Sequence, residues 1–154
     1  MNTSREQLLE AQGFPLHKRT PEGTLVDAVA VDGKIIYASG QVPFDGNVLT
    51  CVGKVPSQVD QSMATQAAAL CTANVLRAVR EKIGSLEQIE RILRITGYVN
   101  SDSDFTSQHL IINGASQLVH GVFGEAGRHA RTALGVSQLP LGAAVEVEMI
   151  LRLK

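Results

Sequence analysis

The sequence predicts an α+β domain in which a mixed, largely antiparallel β-sheet carries two helices packed on one face. Three observations lead there. From residue 57 to 83 glycine and proline disappear, and Met63, Ala67, Cys71, Val75, Val79 and Ile83 recur every four residues, the stripe of an amphipathic helix. Over residues 144–153, Val145, Val147, Met149, Leu151 and Leu153 alternate with Ala144, Glu146, Glu148, Ile150 and Arg152, a period of two that sets one strand face on a core. The segment order, ββαβαββ, does not alternate strictly, so the helices belong together on one side of the sheet.

Taken along the chain, residues 4–12 predict a short amphipathic helix ended by Gly13 and Pro15, and the HKRTPEG that begins at His17 reads as a loop. Residues 1–23 thus form an N-terminal accessory to a main body at 24–154, within one structural domain. Residues 24–39 are β-rich on both sides of Asp32-Gly33, a strong hairpin signal. Pro43, Gly46, Gly53 and Pro56 punctuate residues 41–56, which predicts a long loop with little strand of its own, of the kind that often carries function. The helix of residues 57–83 ends at Gly84, a natural C-terminal cap. A strand follows over 89–99, then the turn NSDSD, a second helix from about 105 to 123, the loop GEAGRHA, and strands at 131–138 and 144–153. The sheet face away from the helices is expected to carry Val26, Ala28, Ala30 and Ile150 beside Glu146 and Glu148. That face is too apolar to be simply solvated, so self-association is expected to cover it.

The 154 residues suffice for one domain, since chains of this size hide roughly 70% of their unfolded surface. A formal charge of -1 provides no field for polyanions, and binding driven by nucleic-acid phosphates is disfavoured. The start lacks the apolar run of a signal peptide, and no stretch approaches the roughly 20 apolar residues that span a bilayer. A cytosolic location without membrane attachment is the expectation. Cys51 and Cys71 form neither a metal motif nor a disulfide framework and read as reduced bystanders. GASQL and GVSQL do not close a Gly-x-Ser-x-Gly elbow, and GVFGEAG is too weak to imply a nucleotide. His109 and His120 share a helical face but lie about 16 Å apart along it, too far to share a metal with bonds of about 2 Å.

Arg131 opens a β-rich run of small and apolar residues directly after a loop. It is either a solvated arginine at a strand end or a planar guanidinium that holds a carboxylate through two parallel hydrogen bonds, which lysine cannot reproduce. Glu146 and Glu148 are either a charged strand face or, in a partly closed cleft, glutamates whose raised pKa suits acid–base work. His129, two residues before Arg131, is a loop histidine or a reserve acid/base, since its ordinary pKa lies near neutrality.

Ser39-Gly40-Gln41-Val42-Pro43, then Arg131, seven residues, Leu139-Pro140, four residues and Val145-Glu146-Val147-Glu148, resembles the RidA family, also called YjgF and historically labelled endoribonuclease L-PSP. The resemblance covers roughly residues 24–154, and GRHAR at 127–131 with INGAS at 112–116 looks like the longer branch of that family. It implies a chorismate-mutase-like fold, a homotrimer whose sheets form a central barrel, and ligand clefts at subunit interfaces that take small carboxylates such as 2-imino or 2-oxo acids. It implies no metal or organic cofactor. Arg131 would bind the ligand carboxylate, the backbone at Gly40 would touch the ligand, and Glu146 would position or activate a water. That water attacks an imine carbon, ammonia leaves and a 2-oxo acid remains. Ala133 stands at the ligand-contact position where typical deaminases of the family have cysteine, and Val26 where they have a tyrosine in the first strand. The family's ligand-contacting asparagine corresponds to Asn113 or to Ser116. The leading expectation is therefore an enamine/imine deaminase, a hydrolase. A non-catalytic trimeric binder or sensor of small carboxylates is the alternative, motivated by the absent cysteine and tyrosine. The ribonuclease reading ranks last because no basic stripe with aromatics appears.

Overall fold

In the computed structural model, which describes residues 3–17 and 25–154, the chain runs α1 (Arg5–Ala11), β1 (Val29–Asp32), β2 (Ile35–Gln41), a small hairpin of β3 (Phe44–Asp45) and β4 (Val48–Leu49), and α2 (Gln61–Ile83). It continues through β5 (Ile89–Asn100), α3 (Gln108–Ile111), α4 (Asn113–Phe123), β6 (Ala130–Val136) and β7 (Val145–Leu153). The main sheet has the order β1-β2-β7-β5-β6. All neighbours in it are antiparallel except β5 and β6, whose parallel pairing requires the crossover that α3 and α4 supply. The sheet is mixed and mostly antiparallel, as its alternating and apolar segments predict.

The helical stripe forms α2 because its ends are satisfied. The Met63 N–H donates to Asp60 Oδ1 at 2.8 Å, and Gly84 takes φ 90°, a conformation that costs glycine no side-chain clash. Ala64, Ala68, Cys71, Val75, Leu76 and Val79 are fully buried, as are Val145, Val147 and Leu151 on the sheet face they meet. The alternate residues of β7, from Glu146 to Arg152, point to the opposite face. Gly97 in β5 lets α4's lead-in approach: a Cβ there would stand 2.6 Å from Ile112 Cγ1.

Two boundaries differ from the sequence expectation. β1 begins at Val29, so Val26 lies outside the sheet and is exposed; residue 24 and most of the HKRTPEG stretch fall outside the described residues. The cause is local: Ser39 N–H still bonds Ala28 O at 2.9 Å, but the Asp27 carbonyl is taken by the Ser39 hydroxyl at 2.8 Å instead of a ladder N–H. The second helix starts at Gln108 rather than near 105 and is stepped at Ile112 into α3 and α4, because a turn from Asp102 to Phe105 comes first. The loop of 41–56 has little strand of its own, as its prolines and glycines predict: only the two-residue strands β3 and β4 around Gly46.

α1 is tied down through its N-terminal half. Ser4 and Gln7 form a capping box, and Leu9 is 0% exposed. Glu6 Oε1 accepts from Ser85 Oγ at 2.8 Å and from the Leu86 N–H at 2.6 Å, while the Arg5 guanidinium donates to Leu86 O and lies 4.7 Å over the Phe123 ring. Burial would raise the Glu6 pKa, but the bonds from Ser85 and Leu86, with the Arg80 charge, lower it. Among the described residues no helix is long and apolar enough to cross a membrane.

Candidate functional site

Parallel pairing sets Arg131 opposite Ile95, Ala133 opposite Gly97 and Gly135 opposite Val99. Paired residues share a face, and Ile95 and Val99 are buried against the helices. Arg131 therefore projects from the edge strand β6 toward α4. There its Nη1 donates to Asn113 Oδ1 at 2.9 Å and to Ser116 Oγ at 3.1 Å. Asn113 and Ser116 are three residues apart, the spacing that puts both on one side of a helix. Of the two candidates for the family asparagine, both grip the arginine.

The chain of contacts continues through His129. Ser116 Oγ is 3.1 Å from His129 Nε2, and His129 Nδ1 is 2.6 Å from Gly127 O. A carbonyl only accepts, so Nδ1 carries the proton and Nε2 is the acceptor. Ser116 then donates to Nε2 while its oxygen accepts from Arg131. Burial pushes the His129 pKa down and the Arg131 charge adds to that, against the opposing bond to Gly127. Burial and the Arg131 charge thus favour the neutral ring. With Nη1 occupied, the Nε and Nη2 of Arg131 make no hydrogen bond among the described residues, and this exposed edge presents two parallel N–H groups.

Glu146 lies elsewhere. It is on the sheet face away from the helices, paired with Tyr98, and its carboxylate covers Gly40: a Cβ at Gly40 would come within 2.9 Å of Glu146 Cδ and collide with Oε1. The approach is possible because β2 bulges between Ala38 and Gln41 where it pairs with β7. Burial raises the Glu146 pKa, and the neighbouring Glu148 raises it further. Tyr98 Oη donates to Glu148 Oε1 at 3.2 Å, and burial and that carboxylate push the phenol up. Within one chain the sheet thus separates Arg131, Asn113, Ser116 and His129 from Gly40, Glu146, Glu148 and Tyr98. Ala133 is half-buried on the Arg131 side.

The sequence reading missed Tyr98 as a partner of Glu148, although the strand alternation that places Tyr98 on the same face as Arg94 was visible. It also missed Lys54, whose Nζ donates to Asn100 Oδ1 at 3.0 Å and to Ser137 O and so pins the long loop to the ends of β5 and β6. No local signal announces that tie. Cys51 and Cys71 are free and buried, and burial raises both thiols, Cys71 well above its ordinary range. Among the described residues no group of three or more His, Cys, Asp or Glu is placed to hold a metal ion.

The family model described as "YjgF/chorismate mutase-like, putative endoribonuclease" matches residues 7–153. The chain belongs to this family. The RidA-type match therefore starts within α1, earlier than the quoted motifs. Protein TCP17 of Trypanosoma cruzi is 34% identical over 146 residues, 94% of this chain and 91% of its own. Atu1372 of Agrobacterium tumefaciens, a solved protein of unknown function, is 38% identical with a TM-score of 0.90 over 97% of this chain and 92% of its own. RidA from the Antarctic bacterium Psychrobacter sp. PAMC 21119 shares the fold, with a TM-score of 0.57 and 22% identity over 87% of this chain and 92% of its own.

Proposed function

We propose that the protein hydrolyses reactive 2-imino and enamine acids to 2-oxo acids and ammonia, with Arg131 holding the substrate carboxylate. One observation carries this reading: Asn113 and Ser116 occupy Nη1 and leave the Nε–Nη2 edge as an oriented, unfilled fork of the width a carboxylate needs. Once the carboxylate is anchored, a water oxygen bonds to the imine carbon while the C=N π pair moves to nitrogen, which takes up, through Glu146, the proton the water gives up. The hydroxyl of this carbinolamine then passes its proton to nitrogen, C=O forms, the C–N bond breaks and ammonia leaves. Glu146 takes the water's proton, and its raised pKa makes it a better base near neutrality than an ordinary glutamate. His129 is the acid–base group on the Arg131 side. The reaction as written uses only water and proton transfers.

Because Arg131 and Glu146 lie on opposite faces of one sheet, a ligand that meets both must sit between two copies, with one chain's fork facing another's Gly40 and Glu146. A head-to-tail contact of this kind closes as a ring, and a homotrimer is the assembly proposed. Tyr37 and Leu134, 50% and 45% exposed on the sheet face away from the helices, are apolar area such a contact would cover. Ala133, in place of the family's cysteine, supports the second reading, a trimeric carboxylate binder or sensor without catalysis. The slightly negative net charge gives an RNA substrate no support.

The test is ammonia release from imines generated freshly by an amino acid oxidase, with light scattering for the assembly. Glu146→Gln is expected to slow release by about 100-fold or more while 2-oxo acid binding survives. A parent chain that binds 2-oxo acids but does not accelerate release establishes the binder reading instead. A monomer at micromolar concentration removes the intersubunit site.

A further inference from the structure

We propose that Ser116 is a nucleophile and that Ser116, His129, Asn113 and Arg131 form an acyl-transfer site, distinct in chemistry from imine hydrolysis. The inference uses the proposed role of Arg131 only to name the substrate class, small esters or thioesters that also bear a carboxylate.

Four parts of a nucleophilic site are present in one chain. The nucleophile and base are Ser116 Oγ and His129 Nε2, 3.1 Å apart. The group that orients the base is the Gly127 carbonyl, 2.6 Å from Nδ1, which fixes the tautomer with its lone pair toward the serine. The donors for a developing oxyanion are the Arg131 Nη1 N–H that rests on Ser116 Oγ at 3.1 Å, which turns to the new oxyanion once Ser116 bonds to carbon, and the amide nitrogen of Asn113. Asn113 must turn Oδ1 to the guanidinium, 2.9 Å away, so its Nδ2 faces away from Arg131, and that nitrogen makes no hydrogen bond among the described residues. Ser116 is half-buried, open enough for a small acyl group to reach it. Burial and Arg131 favour the neutral ring of His129, the form able to accept a proton.

In the first half-reaction the Ser116 oxygen bonds to the acyl carbon and its proton passes to His129 Nε2. The carbonyl π electrons move to the oxygen facing Arg131 and Asn113. Collapse of this intermediate breaks the bond to the alkoxide or thiolate, which leaves with the proton from Nε2. Water then repeats the sequence on the acyl-serine, giving a carboxylic acid and restoring Ser116. The Nε–Nη2 edge of Arg131, pointing away from the serine, would hold a carboxylate elsewhere on the same substrate.

The experiment treats the full-length protein with an alkyl fluorophosphonate, maps the adduct by peptide mass spectrometry, and follows p-nitrophenyl acetate for a stoichiometric burst. The expected result is an adduct on Ser116, formed about 100-fold more slowly in His129→Gln. Absence of an adduct on Ser116 in the parent chain overturns the proposal, and so does equal labelling of a folded His129→Gln. Mapping the parent chain makes the result independent of whether any variant folds. Calorimetry with pyruvate separates the two readings. Pyruvate binding beside an unlabelled Ser116 sinks the nucleophile and leaves the carboxylate fork; a labelled Ser116 without pyruvate binding supports the nucleophile and removes the fork.

Discussion

Replacing Arg131 by lysine keeps the charge and tests the geometry. The arginine spends Nη1 on Asn113 and Ser116 and offers two further parallel N–H groups to a ligand. A lysine ammonium has three N–H groups; with two given to the same partners, one remains. The variant thus loses one charge-assisted hydrogen bond to the carboxylate, about 1.5–3 kcal/mol, which is about a 10- to 150-fold weaker Kd. The low end applies to the single chain, where Arg131 is exposed and solvent screens the contact; closure by a second copy moves the loss upward. Isothermal calorimetry with pyruvate and 2-oxobutanoate reads the affinity, and a circular-dichroism melt checks that folding is unchanged. A folded Arg131→Lys chain that binds within twofold of the parent refutes the fork and leaves Arg131 as a simple point charge.

Gly40→Ala places a methyl group against the Glu146 carboxylate, and since that carboxylate ends a flexible side chain it will swing aside at about 0.5–1.5 kcal/mol of stability; ammonia release should fall far more than the melting temperature, and unchanged release would detach Gly40 from the site. Leu9→Ala empties a fully buried position in α1 and should cost about 2–5 kcal/mol within a single urea transition; a loss below about 0.5 kcal/mol would mean that α1 docks without contributing to the cooperative core. The folded pKa of His129 is held below its ordinary 6.5, so as pH falls the unfolded chain takes up this proton first. Its stability contribution is complete above that value and declines below it. His129→Gln should therefore flatten the loss of stability as pH falls below about 6.5 in urea titrations, and parallel curves for parent and variant would show that the ring is not buried in solution.

The sequence by itself determined the elements whose signals are local. The alternation of β7, the four-residue stripe of α2 and the Gly84 cap each follow from which side chains a single strand or helix must turn toward a core. The motif around Gly40, Arg131 and Glu146 was legible too, since it is a matter of residue type and spacing. Pairing partners were not. The start of β1 depended on where the Ser39 hydroxyl captured the Asp27 carbonyl, and the attachment of α1 on Glu6 reaching Ser85 and Leu86 far along the chain. Above all, only the tertiary structure decided that β6 runs parallel to β5 in a register that turns Arg131 toward Asn113 and Ser116 while Glu146 faces the other way. Periodicity encodes which face of a segment is apolar. The direction and register in which two strands meet are chosen by contacts between residues distant in sequence, and a one-residue slip would have exchanged the two faces.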